Sequence, residues 1–227
     1  GDLPVDIQNV KIEAGKVTTQ DFGFSAGKAA LSGLVHINGN PCTRGTVLLR
    51  AEESVGPGSY SGDLDAEGRY SIENVIEGLY MLRVSYSFDE NGRYISRQHE
   101  KNIEVMPNQT TQHDISISCG TIAGNMMGIQ SGEMAIIVVV PGEFIVNKLD
   151  AATYQAIEEQ QLENTTLTQN GPFEFKYLEN GVYTIGAGII PMTTIDSPEE
   201  ALAAARWTYL RAEVRENETV QVSLEPK

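Results

Sequence analysis

Residues 68–80 read GRYSIENVIEGLY, and residues 171–183 read GPFEFKYLENGVY. The two stretches match position by position: Gly68 with Gly171, Tyr70 with Phe173, Ile72 with Phe175, Val75 with Leu178, Gly78 with Gly181 and Tyr80 with Tyr183. Each has a turn glycine, apolar side chains at alternate positions, a second glycine, and an aromatic residue that opens the next run. A period of two puts those side chains on one face of a strand, so each copy reads as strand, tight connection, strand. Recurrence after about a hundred residues implies two domains of one kind.

A second repeated element closes each copy. Residues 103–117 read IEVMPNQTTQHDISI and residues 212–226 read AEVRENETVQVSLEP, aligning Val105 with Val214, Asn108 with Asn217, Thr110 with Thr219 and Ile115 with Leu224. The pattern predicts a short strand, a turn whose asparagine tolerates left-handed backbone, and a longer alternating strand. Residues 10–24, VKIEAGKVTTQDFGF, place Ile12, Gly15, Val17 and Phe22 at the same offsets. The expected division is therefore 1–28, closing strands of a preceding copy; 29–118, the first sandwich; and 119–227, the second.

Within the first copy, strands are expected at 31–37, 46–52 and 80–88, a loop at 55–61, and turns at 65–68 and 89–93. Within the second, strands are expected at 121–127 and 133–140. Two insertions there carry a helical pattern. Residues 150–162 start from Asp150 as a cap. Residues 197–209 start with Ser-Pro-Glu-Glu, which suits an N-cap, a proline at the first helical position and acidic residues at the positive helix end. Leu202, Arg206 and Tyr209 continue at helical spacing. The fold class is all-β: two tandem antiparallel β-sandwiches, the second with short helical insertions.

A length of 227 residues suits two domains, and 41% hydrophobic residues let each bury a core. The formal net charge of −15, from 31 acidic and 16 basic residues, repels phosphate backbones and anionic lipid, which argues against a nucleic-acid partner. The longest apolar run, 135–140, has strand length, so no membrane insertion by this segment is expected. The chain opens on Gly1 without a leader and reads as trimmed from a longer protein. Cys42 and Cys119 form either a disulfide linking the domains or two buried free thiols, and the second reading is preferred.

Little in the sequence points to chemistry. His36, His99 and His113 have no histidine or cysteine at ligand spacing, and GxSxG, HExxH and phosphate-binding glycine motifs do not occur. No catalytic residue and no cofactor is expected. Asp63, Asp65 and Glu67, followed by Gly68, resemble the start of a calcium loop and are the one metal candidate, although Asn74 stands where a bidentate acid is needed. Sugar binding requires exposed flat rings. Tyr70, Tyr80, Phe173, Phe175 and Tyr183 occupy core positions, which leaves Tyr60, Tyr94, Tyr154, Trp207 and Tyr209. Tyr94 and Trp207 are the binding candidates. Trp207, the sole tryptophan, falls on the second helical insertion, where its plainest role is to pack that helix onto the sandwich. Sequons occur at Asn108, Asn164 and Asn217, two of them at the closing turns.

The first copy has a glycine-bearing strand (Leu31, Gly33, Val35), an Asn38-Gly39 turn, a second strand, a D-x-x-G-x-aromatic turn and strand (Asp65, Gly68, Tyr70, Ile72), and G-x-Y (Gly78, Tyr80). This pattern resembles the carboxypeptidase regulatory-like domain nearly end to end. The second copy resembles it in its opening strand, residues 171–183 and the closing element, but has Thr168 in place of the acidic residue. The resemblance implies a seven-stranded sandwich of the transthyretin-like (prealbumin-like) kind. It also implies a bacterial, secreted or cell-envelope setting, because such domains are appended to peptidases, outer-membrane receptors, adhesins and envelope proteins. The expected role is a non-catalytic structural or interaction module, with a carbohydrate-binding module accessory to a hydrolase as the alternative. Expected partners are flanking domains of the parent protein, another protein or a glycan.

Overall fold

The computed structural model describes residues 14–17, 19, 28–51, 58–90, 93–144, 151–194, 196 and 198–226, with the backbone alone at Glu90, Arg93, Tyr94, Ala151, Pro198 and Glu199. The chain divides into two compact units, Gly1–Ile117 and Ser118–Lys227. Both are all-β sandwiches.

In the first unit the strands are β1 (Ala29–Ile37), β2 (Asn40–Pro41), β3 (Gly45–Ala51), β4 (Ser59–Asp63), β5 (Arg69–Val75), β6 (Gly78–Glu90), β7 (Arg93–Val105), β8 (Thr110–Gln112) and β9 (Ile115–Ile117). One sheet runs β4-β3-β6-β7, antiparallel throughout. In the other, β1 pairs antiparallel with β5 and parallel with β8 and then β9. The break between β8 and β9 is bridged by Asp114, whose Oδ1 accepts the backbone N–H of Leu34 at 3.0 Å. Alternation decides the core: Tyr80, Leu82, Val84 and Tyr86 are buried, as are Tyr70 and Ile72 on β5.

The second unit repeats this order as β10 (Cys119–Met126), β11 (Glu133–Pro141), α1 (Ala151–Gln160), β12 (Glu163–Leu167), β13 (Gly171–Glu179), β14 (Gly181–Pro191), α2 (Pro198–Ala204), β15 (Arg206–Val214) and β16 (Thr219–Leu224). Its sheets run β12-β11-β14-β15 and β13-β10-β16, with β16 parallel to β10. Phe173 and Phe175 pack against Ile137, Val139 and Ile185 of the facing sheet in one hydrophobic cluster.

Local geometry repeats as closely as topology. A register shift interrupts β1–β5 between Ala29 and Leu31, and another interrupts β10–β13 between Gly120 and Ile122. Opposite each shift lies a residue with left-handed φ, Asn74 at 57° and Tyr177 at 54°. The closing turns carry Asn108 at 55° and Asn217 at 57°. The paired tyrosines make the same bond: Tyr80 donates its hydroxyl to the carbonyl of Ile76 at 2.7 Å, and Tyr183 to that of Glu179 at 2.8 Å.

Several expectations are corrected. The helix expected at 197–209 ends at Ala204, and Arg206 starts a nine-residue strand. The alanines at 201 and 203–205 carried the helical pattern on, but Trp207, Thr208 and Tyr209 favour strand and pair with β14. The loop expected at 55–61 becomes strand from Ser59, paired with β3. The proposed cap Asp150, the turn centre at 91–92 and most of the closing element expected at 10–24 lie outside the described residues. Of that element, Gly15 has a φ of 77° and Val17 is 95% exposed. Cys42 and Cys119 are both buried, and no disulfide links them. Burial pushes the Cys42 thiol up, opposed by a hydrogen bond from the Arg44 backbone.

Candidate binding site

The side of the β12-β11-β14-β15 sheet turned away from the core carries an unusual set of residues. Register places Ile136, Gly188 and Trp207 in one row across β11, β14 and β15, and Val138, Gly186 and Tyr209 in the next. Residues directly opposite one another in an antiparallel sheet project to the same face. The two rows therefore build a trough. Its floor is the bare backbone of Gly186 and Gly188, one wall is branched aliphatic, and the other is aromatic.

The trough is open rather than filled. A Cβ built on Gly188 meets nothing within 4 Å, and one on Gly186 meets only the Val138 side chain, at 3.2 Å. Neither aromatic ring folds over the glycine beside it. The Trp207 and Tyr209 rings lie nearly parallel, 10° apart with centroids 5.9 Å apart. Helices α1 and α2 add Tyr154, Ile157, Ala201 and Leu202, and Ala205 follows α2; together they bound an open-sided cavity of about 720 Å³. That volume and an apolar lining with few polar groups are typical of small-molecule sites.

Tyr154 hydrogen-bonds to Glu158 one helical turn later, and burial followed by that bond and charge pushes its hydroxyl up, so the phenol stays protonated. Gln155 donates to Glu159 at 3.0 Å. At the start of β15, Arg206 reaches the Gly128 carbonyl at 3.0 Å and Glu133 at 2.7 Å. Those bonds tie the strand bearing Trp207 to the segments around β11.

The candidates from sequence are distributed unevenly. Trp207 lines the cavity from a strand, and Tyr154 and Tyr209, two of the other non-core aromatics, join it there. Tyr94 opens β7 opposite Asp89, and its side chain lies outside the described residues. Tyr60 is engaged at the core margin, accepting the Ile76 N–H at 3.3 Å and meeting Tyr80 edge-on at 6.0 Å. The acidic trio holds a turn: Asp65 Oδ1 accepts from the N–H groups of Glu67 at 2.9 Å and Arg69 at 2.7 Å, Asp63 accepts from Thr46 at 3.0 Å, and Glu67 pairs with Arg69 at 3.5 Å. Among the described residues, no three histidine, cysteine or acidic side chains gather as a metal site.

Sequence reasoning missed Gly186 and Gly188, and with them the trough. The available signal was two glycines inside a strand pattern, a mark of close approach or vacated space.

No protein-family model matches the chain, and no curated protein sequence matches it either. Among solved structures, the minor pilin GBS52 of Streptococcus agalactiae is 9% identical with a TM-score of 0.40, over 87% of this chain and 94% of that one. A DUF3823 family protein from Bacteroides uniformis is 10% identical with a TM-score of 0.29, over 81% and 98%. Fervidolysin, a keratinolytic enzyme from Fervidobacterium pennivorans, is 12% identical with a TM-score of 0.36; the match spans 89% of this chain and 31% of fervidolysin. At these scores and identities no function passes from them to this chain.

Proposed function

We propose that the chain is a non-catalytic interaction segment of a larger secreted or cell-envelope bacterial protein. It consists of two carboxypeptidase regulatory-like sandwiches, 29–118 and 119–227, preceded by the closing strands of another copy at 1–28. The family reading draws on the turn at Asp65, whose Oδ1 accepts from the Arg69 N–H, and on Tyr70, Ile72 and Tyr80 of the motif, all of them buried. The observation that carries a binding rather than a catalytic role is the composition of the cavity. Its lining holds one carboxylate, Glu158, and no histidine, cysteine, serine, lysine or arginine among the described residues. The one acid–base pair there is Tyr154 with Glu158, and its phenol is pushed up and so held protonated, which leaves no activated nucleophile beside a base.

Deleting residues 118–227 from the full-length parent tests this. Flanking domains should keep their activity per molecule, while cross-linked partner recovery should be lost. A fall in turnover of separately folded flanking domains would assign this segment a part in catalysis.

A second reading, a glycan-binding module accessory to a hydrolase, draws on one observation: Trp207 and Tyr209 lie nearly parallel beside Tyr154. Sugar rings stack on such faces. Retention on a glycan array that Trp207→Ala abolishes would decide for it.

A further inference from the structure

We infer that the trough over Gly186 and Gly188 is a binding site for a small ligand with a flat, largely apolar ring body and no negative charge, rather than for a sugar chain. This stands on the cavity alone and is independent of the parent protein's role.

The polarity of the walls separates the two ligand classes. A sugar carries a hydroxyl on nearly every carbon, and each hydroxyl withdrawn from water without a partner is costly. The polar groups on the lining face are those of Tyr154, Gln155, Glu158 and Tyr209 and the indole N–H of Trp207; Thr208, in register with Ala187, projects to the other face. Tyr154 and Glu158 are bonded to each other, and Gln155 is bonded to Glu159. The remaining surface is aliphatic, aromatic or bare backbone, which suits a ring that needs few hydrogen bonds. Shape points the same way: a slot between the Ile136–Val138 wall and the Trp207–Tyr209 wall, floored by glycine, accepts a thin body edge-first.

Charge fixes the rest. Glu158 is the one charged residue of the lining, and the whole chain carries −15. An anionic ligand would enter against a carboxylate and a strongly negative molecule, whereas a neutral or cationic one would not. Three aromatic side chains beside a carboxylate also suit a cationic substituent on the ring.

Trp207 is the only tryptophan, so its fluorescence reports on this site alone. The intact chain would be titrated with neutral N-phenyl-1-naphthylamine, with its anionic relative 8-anilino-1-naphthalenesulfonate, and with cellohexaose. The neutral probe should quench Trp207 saturably and bind about tenfold more tightly than the anionic one, while cellohexaose should leave the emission unchanged. Gly188→Val is the decisive variant. The added Cβ meets no atom within 4 Å and valine suits a strand, so the fold should persist by circular dichroism and melting while the side chain fills the slot. Neutral-probe affinity should fall by about tenfold or more. Glu158→Gln should narrow the gap between the two naphthalene probes. Undiminished binding to Gly188→Val, equal affinity for both probes, or saturation by cellohexaose without binding of the neutral probe would each overturn the assignment. Lost interaction with a parent partner would not bear on it.

Discussion

Across β3, β6 and β7 of the first unit, the outward rows read Thr46–Ser85–Gln98 and Leu48–Arg83–Glu100; across β11, β14 and β15 of the second, the same rows read Ile136–Gly188–Trp207 and Val138–Gly186–Tyr209. The inward positions between them barely differ in character: Val47 and Val84 are buried in one, Ile137 and Ala187 in the other. The sandwich is specified by its inner faces and turns, so its outer faces can change without disturbing it. In the first unit that freedom holds a polar surface closed by an ion pair, Arg83 to Glu100 at 2.6 Å. In the second, glycine replaces arginine and tyrosine replaces glutamate, two helices are added, and a solvated surface becomes a cavity.

The largest effects should fall on what the units share. Tyr80→Ala and Tyr183→Ala each remove a buried ring and its hydroxyl bond, and each should cost about 3–5 kcal/mol in denaturant melts of the chain. Comparable losses would show that the two tyrosines do the same work. A loss under about 1 kcal/mol at either would break the equivalence.

Next come the glycines of the opening strands. Gly33 and Gly124 face Tyr70 and Phe173 in register. A Cβ on Gly33 would lie 2.0 Å from the His113 carbonyl oxygen, and one on Gly124 would lie 2.4 Å from that of Val222. Backbone on the neighbouring parallel strand cannot yield as a flexible side chain would. Alanine at either site should cost roughly 1–3 kcal/mol by overpacking. Unchanged melting for Gly33→Ala alone would mean that the broken β8–β9 strand is more pliable than continuous β16.

This internal symmetry was legible in the sequence because it rests on local chemistry: asparagine at left-handed turns, alternation in strands, tyrosine after the connecting glycine. The site was not, because cross-strand neighbours make it. Trp207 meets Gly188, and Tyr209 meets Gly186, only once β15 is placed beside β14. Reading alanines 203–205 as helix carried Trp207 with them. Yet Thr208, Leu210, Ala212 and Val214 alternate with Trp207, Tyr209, Arg211 and Glu213 at a strand's period. Aligning that run with residues 93–105 of the first copy would have recovered the strand.

A pH-dependent difference should follow in size. His113 belongs to the first unit alone; its Nε2 is buried with no hydrogen-bond partner among the described residues, as is Thr111 Oγ1. Burial lowers its pKa most, Lys101 lowers it further, and Asp114 opposes them. The unfolded chain therefore binds a proton before the folded one does. Stability from this group is complete above its ordinary pKa of about 6.5 and declines as pH falls through that value toward the lower folded one. Melting of the first unit should drop across that window, and His113→Gln should flatten the slope. The second unit should show no histidine slope, since residues 118–227 contain no histidine. An identical slope in wild type and His113→Gln would assign the effect to carboxylates.

The smallest effect should come from the ion pair that occupies the trough's position in the first unit. Arg83 and Glu100 side chains are 32% and 45% exposed, so water and salt screen most of their attraction, and such pairs contribute about 0–1 kcal/mol. Arg83→Met keeps the aliphatic stem over the sheet and deletes the charge. It should lower stability by under about 1 kcal/mol, and added salt should shrink the difference. A loss beyond about 2 kcal/mol would mean that the outer face helps hold the sheet together. The second unit would then need α1 and α2 to restore what its glycines gave up, and binding and stability could not be altered separately. A small loss leaves the outer face free to vary, which is the condition under which one copy of a repeated domain can acquire a site that the other lacks.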